Sequence, residues 1–299
     1  MFQRLKVGLA LGGGAARGLA HIGALKALEE SKIPIHYIAG CSMGAIIGGL
    51  YALNPNALSI EAQIQKYLAD EVFIKTKMEF LQNPGLENGG GFFYRFGKYI
   101  KKKVFYSLSL IKMAFISQEI VEENSRYLFG DNRFNDTKIP FCAVASDINK
   151  AEEVILTQGP LGKAVSASCA IPGIMPLQNI DGHVLIDGGC LDLVPIEPVR
   201  TIGARYVIAV DVSKKTVKEK GRYETSLDIV LRSGEISQSA LFHCQLKKAD
   251  FILRPPVSSI HWGDFSRSDE AIRLGYESVK QEIPRIKKAL LYRRLISIP

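Results

Sequence analysis

The chain has 299 residues, of which 47% are hydrophobic and 23% are charged. A chain of this length and composition suffices for one large α/β domain or for two small ones, and is not mainly disordered; a single domain is the default expectation. The net charge of +8 is concentrated in two segments, residues 88–118 and 280–299, which favours an anionic surface as a partner; no nucleic-acid partner is expected.

The cysteines and the apolar runs limit the class of protein further. Five cysteines form no CxxC pair and cannot all pair with one another, so we expect reduced thiols, a cytoplasmic location, and neither a metal site nor a cofactor. No apolar run reaches the roughly 18 residues that span a bilayer. The basic segments are therefore expected, at most, to hold the protein peripherally on the inner face of a membrane.

Apolar runs alternate with helical patterns through the first 53 residues. Strands are predicted at 5–11 and 36–39, and each is followed by a helix, at 17–30 and at 43–53. Such alternation predicts a parallel sheet that is covered by helices.

The same patterns continue in the second half of the chain. Further strands are predicted at 141–146, 153–157, 184–186 and 205–210, and further helices at 118–129, 161–168 and 225–246. From residue 269 onward the pattern is helical and basic, with an interruption expected at Pro284. We therefore predict a single domain over residues 1–299 with a basic helical tail at 269–299.

A helical insertion is predicted at residues 83–116, after a glycine- and asparagine-rich break that predicts mobility. Residues 92–115 place six large apolar side chains on one helical stripe, with Lys101, Lys102 and Lys103 beside it. This is the composition of a helix that lies on an anionic lipid surface. A covering helix whose lysines are merely solvated explains the pattern equally well, so a lid or membrane-contact role stays one of two interpretations.

The pentapeptide GCSMG, residues 40–44, follows a predicted strand and precedes a predicted helix. A GxSxG sequence at this position is typical of a nucleophile elbow, in which the serine hydroxyl stands at a helix N-terminus. Ser42 is therefore a candidate nucleophile. The same five residues also suit an ordinary strand-to-helix turn.

Three consecutive glycines, Gly12, Gly13 and Gly14, follow the first predicted strand, and Arg17 follows them. Glycines leave backbone N–H groups unobstructed, which suits an oxyanion or a phosphate. A dinucleotide-binding loop fits poorly because Arg17 stands where the third glycine of GxGxxG belongs. A tight turn without a ligand is the remaining alternative.

Four segments together resemble the patatin-like phospholipase family, in its bacterial branch. They are GGGAARG, GCSMG, AVSASCAIPG and DGGCLDLVP, and they occur in the family's order and approximate spacing between about residues 6 and 212. The resemblance implies a three-layer α/β/α fold around a mostly parallel sheet. It also implies hydrolysis of lipid acyl esters by a serine–aspartate dyad that needs no metal.

The resemblance assigns a role to each matching residue. Ser42 would be the nucleophile and Asp187, the first residue of DGG, would be the base. The backbone of Gly12, Gly13 and Gly14 would form the oxyanion hole, and Arg17 would steady that loop or an anionic head group.

Alternatives to this assignment also follow from the sequence. His243 and His261 come after Asp187 and would satisfy the Ser, Asp, His order of an α/β-hydrolase triad. Cys41 and Cys190 flank the dyad, and a packing role is expected for both. The leading function is a phospholipase A or lysophospholipase; the alternatives are a lipid acyltransferase and a non-catalytic, membrane-binding regulatory module. The oligomeric state is not predicted.

Overall fold

A mixed sheet forms the centre of the protein. The computed structural model describes residues 5–76, 114–213 and 226–296. In chain order, the strands of these residues are β1 (Val7–Leu11), β2 (Tyr37–Cys41), β3 (Phe141–Asp147), β4 (Glu152–Leu156), β5 (Gln178–Ile180), β6 (His183–Asp187), β7 (Tyr206–Val210) and β8 (Phe251–Leu253). The strand order is β5-β6-β3-β2-β1-β7-β8, and β4 also pairs with β3.

Five of these strands, β1, β2, β3, β7 and β8, run parallel to one another. Their short, continuous apolar runs are buried, as is usual for strands that are covered on both faces. Strands β4 and β6 pair antiparallel with β3, and β5 pairs antiparallel with β6. The predicted central, mostly parallel sheet is therefore confirmed.

Helices cover both faces of the sheet. They are α1 (Ala20–Glu30), α2 (Met43–Leu53), α3 (Ala57–Ala69), α4 (Glu71–Ile74), α5 (Gln118–Phe129), α6 (Leu161–Ser168), α7 (Ile196–Thr201), α8 (Ser226–Leu246) and α9 (Ser268–Ile296). One apolar core contains buried residues of α1, α2, α3, α5, α6 and α9. A second core, with buried residues of α7 and α8, lies on the other face. The predicted three-layer α/β/α architecture is confirmed.

The basic tail differs from the prediction at Pro284. We expected the helix to be interrupted there, but α9 is one helix of 29 residues with Pro284 inside it. A proline inside a helix removes one backbone hydrogen bond and costs about 3 kcal/mol. Ile283 and Ile286, beside the proline, are buried against the core, and this packing offsets the cost.

The predicted insertion falls largely outside the described residues. Residues 77–113, including Lys101, Lys102 and Lys103, are not among them. Among the described residues, no helix combines the length and the hydropathy required to cross a bilayer.

The register of β3 brings two distant parts of the chain together. Cys41, at the end of β2, lies opposite Val144, and Asp187, at the end of β6, lies opposite the next residue, Ala145. Because successive positions on one strand are only about 3.3 Å apart along it, the ends of β2 and β6 are neighbours. This register places the GCSMG turn next to the DGG loop.

Candidate active site

Ser42 occupies a strained turn between β2 and α2. Its φ of 53° and ψ of −124° are unusual for a residue with a side chain, and such strain is concentrated at functional sites. The turn is possible because Gly40 and Gly44 lack side chains: a Cβ on Gly40 would overlap Gly44, and a Cβ on Gly44 would overlap the Leu11 carbonyl. The GCSMG segment therefore has the geometry of a nucleophile elbow.

Ser168, the last residue of α6, stabilises the turn at Ser42 through hydrogen bonds of its hydroxyl group. Its hydroxyl accepts a hydrogen bond from the Ser42 N–H at 2.9 Å and donates one to the Val144 carbonyl at 2.6 Å. The side chain is fully buried. Ser168 lies in the AVSASCAIPG segment, yet sequence reasoning gave it no role, because nothing in the motif indicates which of its two serines points inward.

The Asp187 carboxylate lies near the Ser42 hydroxyl, which favours the ionised form of the carboxylate. Oδ1 of Asp187 also accepts the Gly189 N–H at 2.7 Å, and the Cys41 thiol lies 3.9 Å from the same oxygen. Burial raises the pKa of Asp187 to about 6, although these three neighbouring groups act in the opposite direction. The structure therefore places the predicted nucleophile and base close together.

The loop after Asp187 is held by α8. Gln238 donates a hydrogen bond to the Gly189 carbonyl at 2.5 Å, and Gln245 donates one to the Leu191 carbonyl at 2.9 Å. Sequence reasoning missed both glutamines, since they are 51 and 58 residues from Asp187. These hydrogen bonds attach the loop after Asp187 to the helical layer.

The glycine loop after β1 lies beside the elbow, but two of its three N–H groups already have partners. The Gly12 N–H donates to Val210 O at 3.1 Å, and the Gly13 N–H donates to Leu193 O at 2.9 Å. In the described part of the chain, the N–H groups of Gly14 and Ala15 donate to no other backbone group. Only the last glycine of the predicted set therefore has an N–H group that remains available.

A buried histidine fixes the same loop. Nε2 of His21 donates to the Gly12 carbonyl at 2.7 Å, and burial lowers the His21 pKa to about 4. The neutral ring is therefore part of the loop support, a role that sequence reasoning missed. The signal that could have revealed it is a lone polar residue on the otherwise apolar inner face of α1.

Arg17 follows the glycine loop and folds back over it. Its Nε donates to the Gly14 carbonyl at 3.5 Å, a long hydrogen bond. Burial lowers the pKa of the guanidinium, and the nearby carboxylate of Asp211 opposes that effect. The Arg17 side chain therefore contacts the glycine loop, and its role in supporting that loop stays a prediction.

An apolar cavity of about 110 Å³ opens beside Ser42, between α2, α5 and α6. Its lining is almost entirely hydrophobic and includes Ile46, Leu128, Phe129, Val165, Ile171 and Met175. Thr76 and Ile116, close to the two ends of residues 77–113, also line it. A cavity of this composition can hold a hydrocarbon chain with its ester group near the serine.

The histidines of the rival triad lie elsewhere. Nδ1 of His243 is 2.6 Å from the Ser239 carbonyl on its own helix, and Nδ1 of His261 accepts the N–H of Gly263 at 3.2 Å. The groups that lower the pKa of the Asp187 carboxyl are those of Gly189, Ser42 and Cys41, and none of them is a histidine. A histidine between Ser42 and Asp187 is therefore not part of this site.

One group of potential metal ligands occurs among the described residues. It comprises Asp147, Glu152 and His183, whose ligand atoms lie within 4.8 Å of one another. The ammonium of Lys150 is 3.8 Å from Glu152 and 3.4 Å from His183. This group is thus an ion-pair network at the β3–β4 turn, in which the lysine supplies the positive charge.

Comparison with known proteins decides the family. Residues 9–200 match the family model described as patatin-like phospholipase. The chain belongs to the patatin-like phospholipase family. Ser42 and Asp187, and the loop that precedes them, all lie within the matched residues of this family.

Several relatives have a longer chain than this protein. Patatin-like phospholipase domain-containing protein 7 of Rattus norvegicus is 28% identical over 91% of this chain, which covers 20% of the relative. Lysophospholipase NTE1 of Meyerozyma guilliermondii is 28% identical over 90% of this chain, which covers 19% of the relative. The chain therefore spans about a fifth of the length of these patatin-like relatives.

The fold is also found in a solved structure. VipD from Legionella pneumophila is similar with a TM-score of 0.50 and 14% identity, and the match covers 95% of this chain and 67% of VipD. At this identity, the likeness concerns the patatin-like fold alone.

Proposed function

We propose that the protein is a serine acyl-hydrolase of lipid esters, in which Ser42 is the nucleophile and Asp187 is the base. One observation carries this proposal. The Ser42 hydroxyl, in a strained turn, lies near a buried carboxylate on one side and adjoins an apolar cavity on the other. Nucleophile, base and acyl-chain site thus meet at a single residue.

The environment of Asp187 explains how a carboxylate can replace imidazole. An ordinary aspartate has a pKa of about 3.9 and is a weak base. Burial raises the pKa of Asp187 to about 6, close to that of a histidine, so its ionised form accepts a proton more readily. The base remains ionised at neutral pH, which general-base catalysis requires.

The reaction follows from this arrangement. Asp187 takes the Ser42 proton as the serine oxygen attacks the ester carbonyl, and the protonated carboxyl then gives that proton to the leaving alcohol. Water, deprotonated by Asp187, attacks the acyl-serine, and Ser42 regains a proton as the fatty acid leaves. No step requires a metal or a cofactor.

The oxyanion hole is assigned to the N–H groups that are still available. We place it at Gly14 and at the N-terminus of α2, where Met43 follows the nucleophile. Gly12 and Gly13 keep a structural role, because their N–H groups hydrogen-bond to Val210 and Leu193. Two backbone donors aimed at the developing charge would stabilise the tetrahedral intermediate.

The cavity favours substrates with a single acyl chain at a time. Within the described part of the chain, its hydrophobic lining can accept a fatty acyl tail but offers no charged side chain to a polar head group. The names of the fungal relatives, lysophospholipases, agree with a one-chain substrate. We therefore propose lysophospholipids or related monoacyl esters as the substrate class.

Contact with an anionic membrane is part of the same proposal. Residues 88–118 contain six basic residues and no acidic residue, and three of the six are Lys101, Lys102 and Lys103. Thr76 and Ile116 place the two ends of the intervening segment at the cavity. Binding of these lysines to anionic lipid would bring the cavity close to its substrate.

Hydrolysis of a lipid panel tests the proposed function. Purified wild-type protein, Ser42→Ala and Asp187→Asn are assayed with a lysophospholipid, a diacyl phospholipid and a short soluble ester. We expect wild-type turnover that is highest on the lysophospholipid and is lost in both variants. A folded wild-type protein that hydrolyses none of the three would support a non-catalytic module and contradict the proposal.

A further inference from the structure

The carboxylate of Asp187 lies among sulfur atoms. Three thiols, of Cys41, Cys169 and Cys190, lie near it, and burial followed by its negative charge raises the pKa of each. Only one of them hydrogen-bonds to the carboxylate: the Cys41 sulfur lies 3.9 Å from Oδ1. The Gly189 N–H reaches the same oxygen at 2.7 Å. Two donors therefore converge on Oδ1.

The backbone fixes the position of the Cys41 thiol. Cys41 is the last residue of β2, is fully buried, and immediately precedes the nucleophile. A Cβ added to Gly13 or to Gly189 would stand 3.6 or 3.8 Å from its sulfur. The sulfur thus fills the space between the glycine loop and the DGG loop.

Toward a carboxylate oxygen the thiol acts as a donor. Burial, followed by the negative charges of Asp187 and Asp192, raises the pKa of Cys41 well above its ordinary value. The S–H group therefore keeps its proton at neutral pH. A protonated thiol is a weak hydrogen-bond donor.

We propose that Cys41 is a positioning residue for the catalytic base: its thiol donates to Oδ1 of Asp187 and, with the Gly189 N–H, holds the carboxylate toward Ser42. This inference rests on the proposed function. Because a thiol donates weakly, it orients the carboxylate while stabilising the ionised form less than a hydroxyl at the same position would. The Asp187 carboxylate is thus held in position while its pKa is lowered only slightly.

The test is a direct titration of Asp187 that needs no turnover. Infrared spectroscopy follows the C=O stretch of the protonated carboxyl from pH 4 to pH 8, and the Asp187→Asn difference spectrum assigns the band. The proteins are wild type, Cys41→Ala and Cys41→Ser. Cys142→Ala is the matched control, because Cys142 is equally buried on the adjacent strand and has no hydrogen bond to Asp187.

The expected shifts have opposite signs. Removing a donor to the ionised form in Cys41→Ala raises the midpoint by about half a unit, and the stronger hydroxyl donor of Cys41→Ser lowers it by a similar amount. Cys142→Ala leaves the midpoint unchanged. In a soluble-ester assay, the acidic limb of kcat/KM moves with each midpoint.

Two results would overturn the inference. They are a Cys41→Ala midpoint equal to that of wild type, and a Cys41→Ser midpoint that rises together with that of Cys41→Ala. If Cys41→Ala does not fold, the nearly isosteric Cys41→Ser decides alone by the direction of its shift. Absence of turnover in wild type, with the shifts intact, would refute the hydrolase function and leave the Cys41 contact established.

Discussion

Replacing Asp187 with asparagine should stabilise the protein at alkaline pH while it abolishes catalysis. The folded state buries the Asp187 carboxyl, which raises its pKa to about 6, whereas the unfolded chain has an ordinary aspartate. Between these two pKa values the folded state holds a proton that the unfolded state has lost. Stability therefore falls as pH rises through this interval, and the full cost of burying the charge is present above pH 6.

The cost can be worked out from the pKa. A difference of about two units, at 1.36 kcal/mol per unit, corresponds to about 3 kcal/mol at pH 8 and to about 1 kcal/mol at pH 4.5. Asparagine carries no charge and keeps an oxygen that can accept a hydrogen bond from the Gly189 N–H, which in the wild-type protein is 2.7 Å from Oδ1 of Asp187. Its amide N–H₂ lacks a full set of acceptors, which costs about 1 kcal/mol at every pH. The gain from Asp187→Asn should therefore be larger at pH 8 than at pH 4.5 by about 2 kcal/mol.

Urea unfolding at the two pH values measures this difference. Other titrating groups, including His21, are present in both proteins, so their contributions cancel in the comparison. We expect Asp187→Asn to be clearly more stable than wild type at pH 8 and close to wild type at pH 4.5. An equal difference at the two pH values would show that the carboxyl is not desolvated, and would refute the explanation given for its basicity.

Three further changes test other parts of the account. Phe129→Ala should shift the maximum of kcat/KM toward longer acyl chains in a series of monoacyl esters, because the buried Phe129 lines the cavity at the end of α5. An unchanged chain-length preference would show that the acyl chain binds elsewhere. Asp192→Asn should stabilise the protein more at pH 9 than at pH 6 in thermal unfolding. Burial raises the Asp192 pKa to about 8, so the wild-type folded state loses stability as pH rises to that value. An effect of the substitution that does not depend on pH would contradict this prediction. Changing Lys101, Lys102 and Lys103 to glutamate should weaken co-sedimentation with anionic vesicles at least a hundredfold, since each lysine contributes about 1 kcal/mol to binding. Hydrolysis of a soluble ester should be unaffected. Unchanged vesicle binding would mean that these lysines belong to an ordinary covering helix.

The sequence predicted best those elements whose signals are local. The bounds of α2, α5 and α6 agree with the predicted helices at 43–53, 118–129 and 161–168, because each has a clear apolar period and a turn or cap at its start. Pro284 shows the limit of the same reasoning. Its local cost is real, but the tertiary packing of α9 outweighs it.

Strand pairing was beyond the reach of local signals. Strands β5 and β8 have three residues each, too few to show a period, and both were missed. The antiparallel direction of β6 was also not predicted, although it determines that Asp187 reaches Ser42. Pairing depends on contacts between residues distant in sequence, and a single sequence does not display them.

The candidate nucleophile and base were predicted, and the residues that support them were not. Ser42 and Asp187 stand in motifs that resemble a family, and the structure places them close together. Ser168 and His21 act through hydrogen bonds to backbone groups, and none of the sequence motifs indicates these bonds. The glycine loop was predicted as three equivalent donors, whereas Gly12 and Gly13 are engaged by the backbone.

Labelling with a fluorophosphonate, followed by mass spectrometry of the modified peptide, tests the dyad most directly. A Ser42–Asp187 dyad predicts a single adduct, on Ser42. The labelling rate should decrease below about pH 6 because Asp187 becomes protonated there. Asp187→Asn should be labelled at least a hundredfold more slowly, on the scale of general-base catalysis, while His243→Ala and His261→Ala are labelled at the wild-type rate. An adduct on another residue would contradict the assignment of Ser42 as the nucleophile. Labelling of Ser42 that is unchanged in Asp187→Asn but abolished in a histidine variant would contradict the assignment of Asp187 as the base.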